Sequence, residues 1–139
     1  MKRWIALLAL LAALGCALAP HAAFTEDRDT VRLAQAIYAL ARGESYEAKL
    51  AIGTVAVNRV ASPWYADTLG GVLDAQHQFP AGSRYDAESL AAAHDVLSGR
   101  RALPAGALAY QSAGATEPRT DAPLATVGGF NFYADDAVM

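Results

Sequence analysis

The stretch from Ser45 to Val60 constrains the fold more than any other part of the chain. Ala48, Leu50, Ala51, Ile52, Val55, Ala56, Val57 and Val60 spread around most of the circumference of a helix, so the segment needs packing partners on nearly every side. Such a helix is central and buried. Its polar exceptions fall into line: Glu47, Thr54 and Asn58 stand at i, i+7 and i+11 and share one face, with Ala51 between them. Polar groups on a buried helix require hydrogen-bond partners. Two readings follow. The stripe lines a cleft, with Glu47 and Asn58 contacting a ligand, or Thr54 and Asn58 satisfy the backbone of a neighbouring loop.

Elements able to cover this helix lie on both sides of it. Asp29 or Thr30 can cap a first helix running to about Arg42, in which Leu33, Ile37 and Leu40 recur at i, i+4 and i+7 and Gly43 ends the run. After Ser62-Pro63 comes a loop with Trp64 and Tyr65, then a short helix from about Leu69 to Asp74. A third long helix starts at the Asp86 cap and ends near Gly99. Beyond it the chain turns extended, with strands expected at Ala107–Gln111 and Val127–Tyr133. The Gly-, Pro- and Thr-containing excursion between them, about fifteen residues, has the length of a site loop.

The 139 residues are 54% apolar and 18% charged, with a net charge of −3 and one cysteine. This excludes a disordered tail, a disulfide scaffold and a basic nucleic-acid-binding arm, and bounds the chain to one modest domain. Part of the apolar excess sits in residues 1–23. There Lys2 and Arg3 precede an apolar run from Trp4 to Leu14 and small residues ending at Ala22 and Ala23, the pattern of a signal peptide. The run is shorter than the roughly 20 residues of a membrane-spanning helix. The expected mature domain is 24–139, exported to the periplasm or the cell exterior; the alternative is lipid anchoring through Cys16. Setting Lys2 and Arg3 aside leaves nine basic against fourteen acidic side chains, so no cationic patch recruits an anionic polymer.

Several chemistries find no support. The His and Cys content offers no metal-ligand spacing, no Gly-x-Ser-x-Gly elbow is present, and neither Gly70-Gly71 nor Gly128-Gly129 belongs to a phosphate-binding motif. No cofactor is expected.

The run Ala36-Ile37-Tyr38-Ala39-Leu40-Ala41-Arg42-Gly43-Glu44-Ser45-Tyr46-Glu47, followed by Val55-Ala56-Val57-Asn58-Arg59-Val60, resembles the SleB-type cell-wall hydrolases, which include spore-cortex-lytic enzymes. The likeness continues through Gln78-Phe79, Asp95–Gly99, Gly106–Tyr110 and the ending Val127-Gly128-Gly129 with Phe132-Tyr133. It implies a mainly α (α+β), compact domain similar to lysozyme and lytic transglycosylases, with a small two-stranded β element near the C-terminus. It also implies action on the glycan strands of peptidoglycan. In that chemistry one glutamic acid protonates the glycosidic oxygen and then, as carboxylate, takes a proton from the muramyl C6 hydroxyl to close an anhydro ring. This differs from the paired acids of most glycosidases.

The chain departs from the family where that acid belongs, two residues before Arg42, because Leu40 stands there. Leucine donates no proton, and general acid–base assistance of this kind is worth roughly 10²- to 10⁴-fold. A family histidine near the C-terminus is likewise replaced, by Phe130 followed by Asn131. Either catalysis is lost and the domain is a wall-binding or interaction module, or the acid has moved. Glu44 is the first candidate for a relocated acid and Glu47 the second, although Glu44 also suits a supporting role towards backbone or Arg42. Tyr38, Gln78, Phe79, Tyr110 and Tyr133 match the family's pattern and are candidates for a saccharide cleft, each with a core-packing alternative.

Overall fold

The computed structural model describes residues 27–76 and 78–134. The expected signal segment, Cys16, the start at Phe24 and His77 lie outside them. Helix α1, Arg28–Ala41, begins earlier than the capping pattern suggested, because the Asp27 carboxylate accepts from both the backbone N–H and the hydroxyl of Thr30 at 2.8 Å. Gly43, at φ +83°, ends it in the left-handed region. Ser45 caps α2, Tyr46–Ala61, by accepting from Ala48 N. Thr68 caps the short α3, Leu69–Asp74, and Asp86 caps α4, Ala87–Leu97.

Helix α2 is central, as its all-round apolarity requires, and packs against α1, α3 and α4 and against the sheet. Gly53 marks a close contact on two sides. A Cβ there would lie 3.1 Å from Val96 Cγ2 of α4 and 3.3 Å from Ile37 Cδ1 of α1, so both neighbours press on the same turn. Leu33, Ile37, Leu50, Ile52, Val55 and Val96 fill this layer and are fully buried.

The β element has three strands. β1 is Ala109–Ser112, β2 is Ala125–Val127 and β3 is Phe130–Tyr133, ordered β1-β3-β2 and antiparallel throughout. The single strand expected over Val127–Tyr133 is therefore two strands. Val127 pairs with Phe130, and Gly128, at φ +55°, turns the chain between them with Gly129 as a two-residue hairpin. β3 takes the middle position, which places Phe132 wholly inside the core.

Candidate functional site

The polar stripe of α2 meets one continuous partner, the segment from Arg100 to Ala107. Glu47 lies 3.8 Å from the Arg100 guanidinium. Thr54 Oγ1 accepts from Ala102 N at 3.2 Å and donates to Leu50 O. The Asn58 amide donates to Pro104 O at 2.9 Å and to Ala107 O at 3.0 Å. Asn58 is 6% exposed and both its N–H groups are engaged, so the structure assigns it to the loop backbone and takes it out of a glycan-contacting cleft. Glu47 is exposed and belongs to the α4 side of α2, with Arg100, Asp95 and Tyr46. There the Tyr46 hydroxyl donates to Asp95 and Arg100 lies 5.6 Å from the ring centre. Burial, then the bond to the Asp95 carboxylate, push the Tyr46 phenol up to about 12.

One residue further along α2, Arg59 organises a neighbouring cluster. It is 2% exposed, donates from Nε to Leu108 O at 2.6 Å and from Nη1 to the Gln78 side-chain oxygen at 2.7 Å. Its guanidinium lies 4.8 Å from the Tyr65 ring centre, 5.2 Å from Phe79 and 6.0 Å from Tyr110. Tyr110 in turn donates its hydroxyl to Gln78 O at 2.5 Å and packs on Phe79 at 5.5 Å. Gln78, Phe79 and Tyr110 are thus brought together, as a wall held from behind by Arg59. Phe79 is buried in this wall, while Gln78 and Tyr110 keep part of their surface open.

Phe130 extends the wall from Tyr110 into the core. It is buried, edge-on to Tyr110 at 6.4 Å and 6.3 Å from Phe132. Leu40 is half-buried and packs against the same apolar core. Both positions that the family resemblance would make polar are therefore parts of the packing. Glu44, past the Gly43 break, lies against the β2–β3 turn: its Oε2 accepts from Gly129 N at 3.1 Å. A Cβ on Gly129 would come within 2.6 Å of Glu44 Oε1, and one on Gly128 within 2.7 Å of Oε2 and 2.9 Å of Ala48 Cβ. The two glycines are what lets the turn close over Glu44.

Tyr38 is half-buried on α1, with Arg42 5.7 Å over its ring. Tyr133 is 2% exposed beneath Arg119, 4.2 Å away, so its ring is covered and not presented to a sugar. The strand-to-strand excursion is pinned by Gln111, which donates to Glu117 O and accepts from Arg119 N. Residue reasoning missed Gln111, Arg119 and the central part of Arg59. For Arg59 a signal existed, since a cation on a helix apolar on most sides has to be enclosed by something.

A model of the cell wall hydrolase family matches residues 43–133, from the glycine that ends α1 through the last residue of β3. Leu40 stands just before that span. The spore cortex-lytic enzyme of Halalkalibacterium halodurans is 36% identical over 90 residues, 60% of this chain and 27% of that protein. That of Bacillus subtilis is 45% identical over 47 residues, 34% of this chain and 15% of that protein. The chain spans about a quarter or less of the length of these curated relatives. Among solved structures, the catalytic domain of the Bacillus cereus SleB protein superposes with a TM-score of 0.69 at 23% identity, over 79% of this chain and 93% of that one. The catalytic domain of the germination-specific lytic transglycosylase SleB from Bacillus anthracis gives 0.70 at 25%, over 79% and 97%. With a helical body, a small sheet and a matched span that runs from the Gly43 break to β3, this chain belongs to the cell wall hydrolase family and has the fold of SleB-type catalytic domains.

Proposed function

We propose that this domain is exported, binds the glycan strands of peptidoglycan, and does not cleave them by the one-acid chemistry of its family. Membership of a cell wall hydrolase family supports the substrate, and the pattern of residues 1–23 supports export. The observation that carries the loss of cleavage is Leu40, half-buried against the core at the position where the sequence resemblance to the family puts the acid. A general acid must hold its proton within hydrogen-bond reach of the glycosidic oxygen, and leucine has none to hold. Glu44 does not replace it from the same helical face, because Gly43 breaks α1 and the Glu44 carboxylate is laid against the Gly128–Gly129 turn. Tyr38, Gln78 and Tyr110, each partly open, supply the rings and amide for a sugar.

Cosedimentation with purified sacculi tests the binding: the protein is expected in the pellet, and a protein left wholly in the supernatant overturns the reading. A second reading keeps Glu44 as a relocated acid, favoured by its remaining partly open to solvent. On that reading wild-type protein releases anhydro-muropeptides and Glu44→Gln abolishes the release with the fold intact.

A further inference from the structure

We infer that Trp64 is a stacking platform for a peptidoglycan sugar ring at the outer end of the Gln78–Tyr110 wall, an inference that rests on the glycan-binding reading above. Tryptophan is seldom left in water, yet Trp64 is 81% exposed. It is not on a loose segment. Ser62 N donates to Arg59 O at 3.0 Å, Tyr65 N to Ser62 O at 3.4 Å and Trp64 N to Ser62 Oγ at 3.3 Å, while Pro63 fixes its own φ. The next residue, Tyr65, is packed against the core beneath the Arg59 guanidinium. The indole is therefore displayed by a turn tied down on both sides, so little ordering remains to oppose binding.

The same Arg59 links this turn to the site, since its guanidinium also lies over Phe79 and Tyr110. The chemistry around Trp64 selects the class of ligand. The other exposed side chains of its turn are Ala61, Pro63, Ala66, Asp67 and Thr68, all small and two of them polar, which leaves Trp64 as the one large flat apolar face of the turn, with Asp67 and Thr68 as hydrogen-bonding neighbours in sequence. That matches the C–H face of a sugar ring flanked by hydroxyl and acetamido groups. A protein partner would seek a broader contiguous apolar patch. An anionic bilayer would seek basic residues, and no Lys or Arg occurs between Arg59 and Arg84.

The test uses the full chain carrying Trp4→Phe, in which Trp64 is the sole tryptophan. Titration with the β-1,4-linked hexamer of N-acetylglucosamine should shift its emission in a saturable way. In sacculus cosedimentation Trp64→Ala should bind about three- to tenfold more weakly, the weight of one aromatic contact, and Trp64→Tyr should stay near wild type. Unshifted emission together with undiminished sacculus binding by Trp64→Ala overturns the inference and leaves the glycan-binding reading standing. If wild-type protein fails to bind sacculi, that broader reading falls and the inference that rests on it falls with it. Emission that responds to phosphatidylglycerol vesicles and not to the hexamer also overturns it.

Discussion

Replacing Asn58 by alanine separates a loop anchor from a ligand contact. Its amide makes two hydrogen bonds, at 2.9 Å to Pro104 O and 3.0 Å to Ala107 O, each worth about 1 kcal/mol net. Pro104 O keeps its bond from Ala107 N at 3.0 Å, whereas Ala107 is fully buried and its carbonyl is left unpaired at a further cost of about 1–2 kcal/mol. Alanine's better helix propensity returns roughly 0.5 kcal/mol. The net loss is about 2.5–3.5 kcal/mol, a large part of the ~5–15 kcal/mol that holds a domain of this kind together. Urea unfolding followed by circular dichroism should show the unfolding free energy falling by that amount, read as a lower midpoint at unchanged m-value. Amide exchange should speed up first in the segment that carries β1. A loss below about 0.5 kcal/mol would refute the anchoring role and return Asn58 to the cleft.

Two further perturbations follow from the geometry. Gly129→Ala places a methyl group 2.6 Å from Glu44 Oε1 and should destabilise the hairpin; because the clash is with that side chain, combining it with Glu44→Ala should restore part of the loss in a double-mutant cycle, and strictly additive effects would exclude the contact. The Tyr46 phenol holds its proton more tightly in the folded chain, to about 12 against 10.0 unfolded. Its contribution to stability is therefore complete below pH 10 and lost as pH rises towards 12. Absorbance titration should find this late-titrating tyrosine, and Tyr46→Phe should remove that part of the alkaline fall in unfolding free energy.

Most of the helical body was legible because its signals are local. Ser45, Asp86 and Gly43 act within one turn of chain, and all-round apolarity suffices to place α2 at the centre. The third strand was not, because Ala125–Val127 carries no periodicity of its own and becomes a strand only by pairing with β3. The polar stripe shows both sides of the matter. Spacing put Glu47, Thr54 and Asn58 on one face, but their shared partner, the segment from Arg100 to Ala107, is brought there by tertiary packing. Leu40 and Phe130 were visible as departures from a family pattern. That Phe130 lies in the core with Leu40 packed half-buried against it, and that Glu44 is tied to Gly129, required the three-dimensional arrangement.

Mass spectrometry of the soluble products after incubating wild-type protein with purified sacculi tests the central claim most directly, with Leu40→Glu run alongside. The account predicts that wild-type protein stays bound to the sacculi and releases no anhydro-muropeptides, while restoring a carboxyl at position 40 raises their release. Anhydro-muropeptides set free by the wild-type chain would contradict it, and would show that a leucine in the acid's place does not silence this fold.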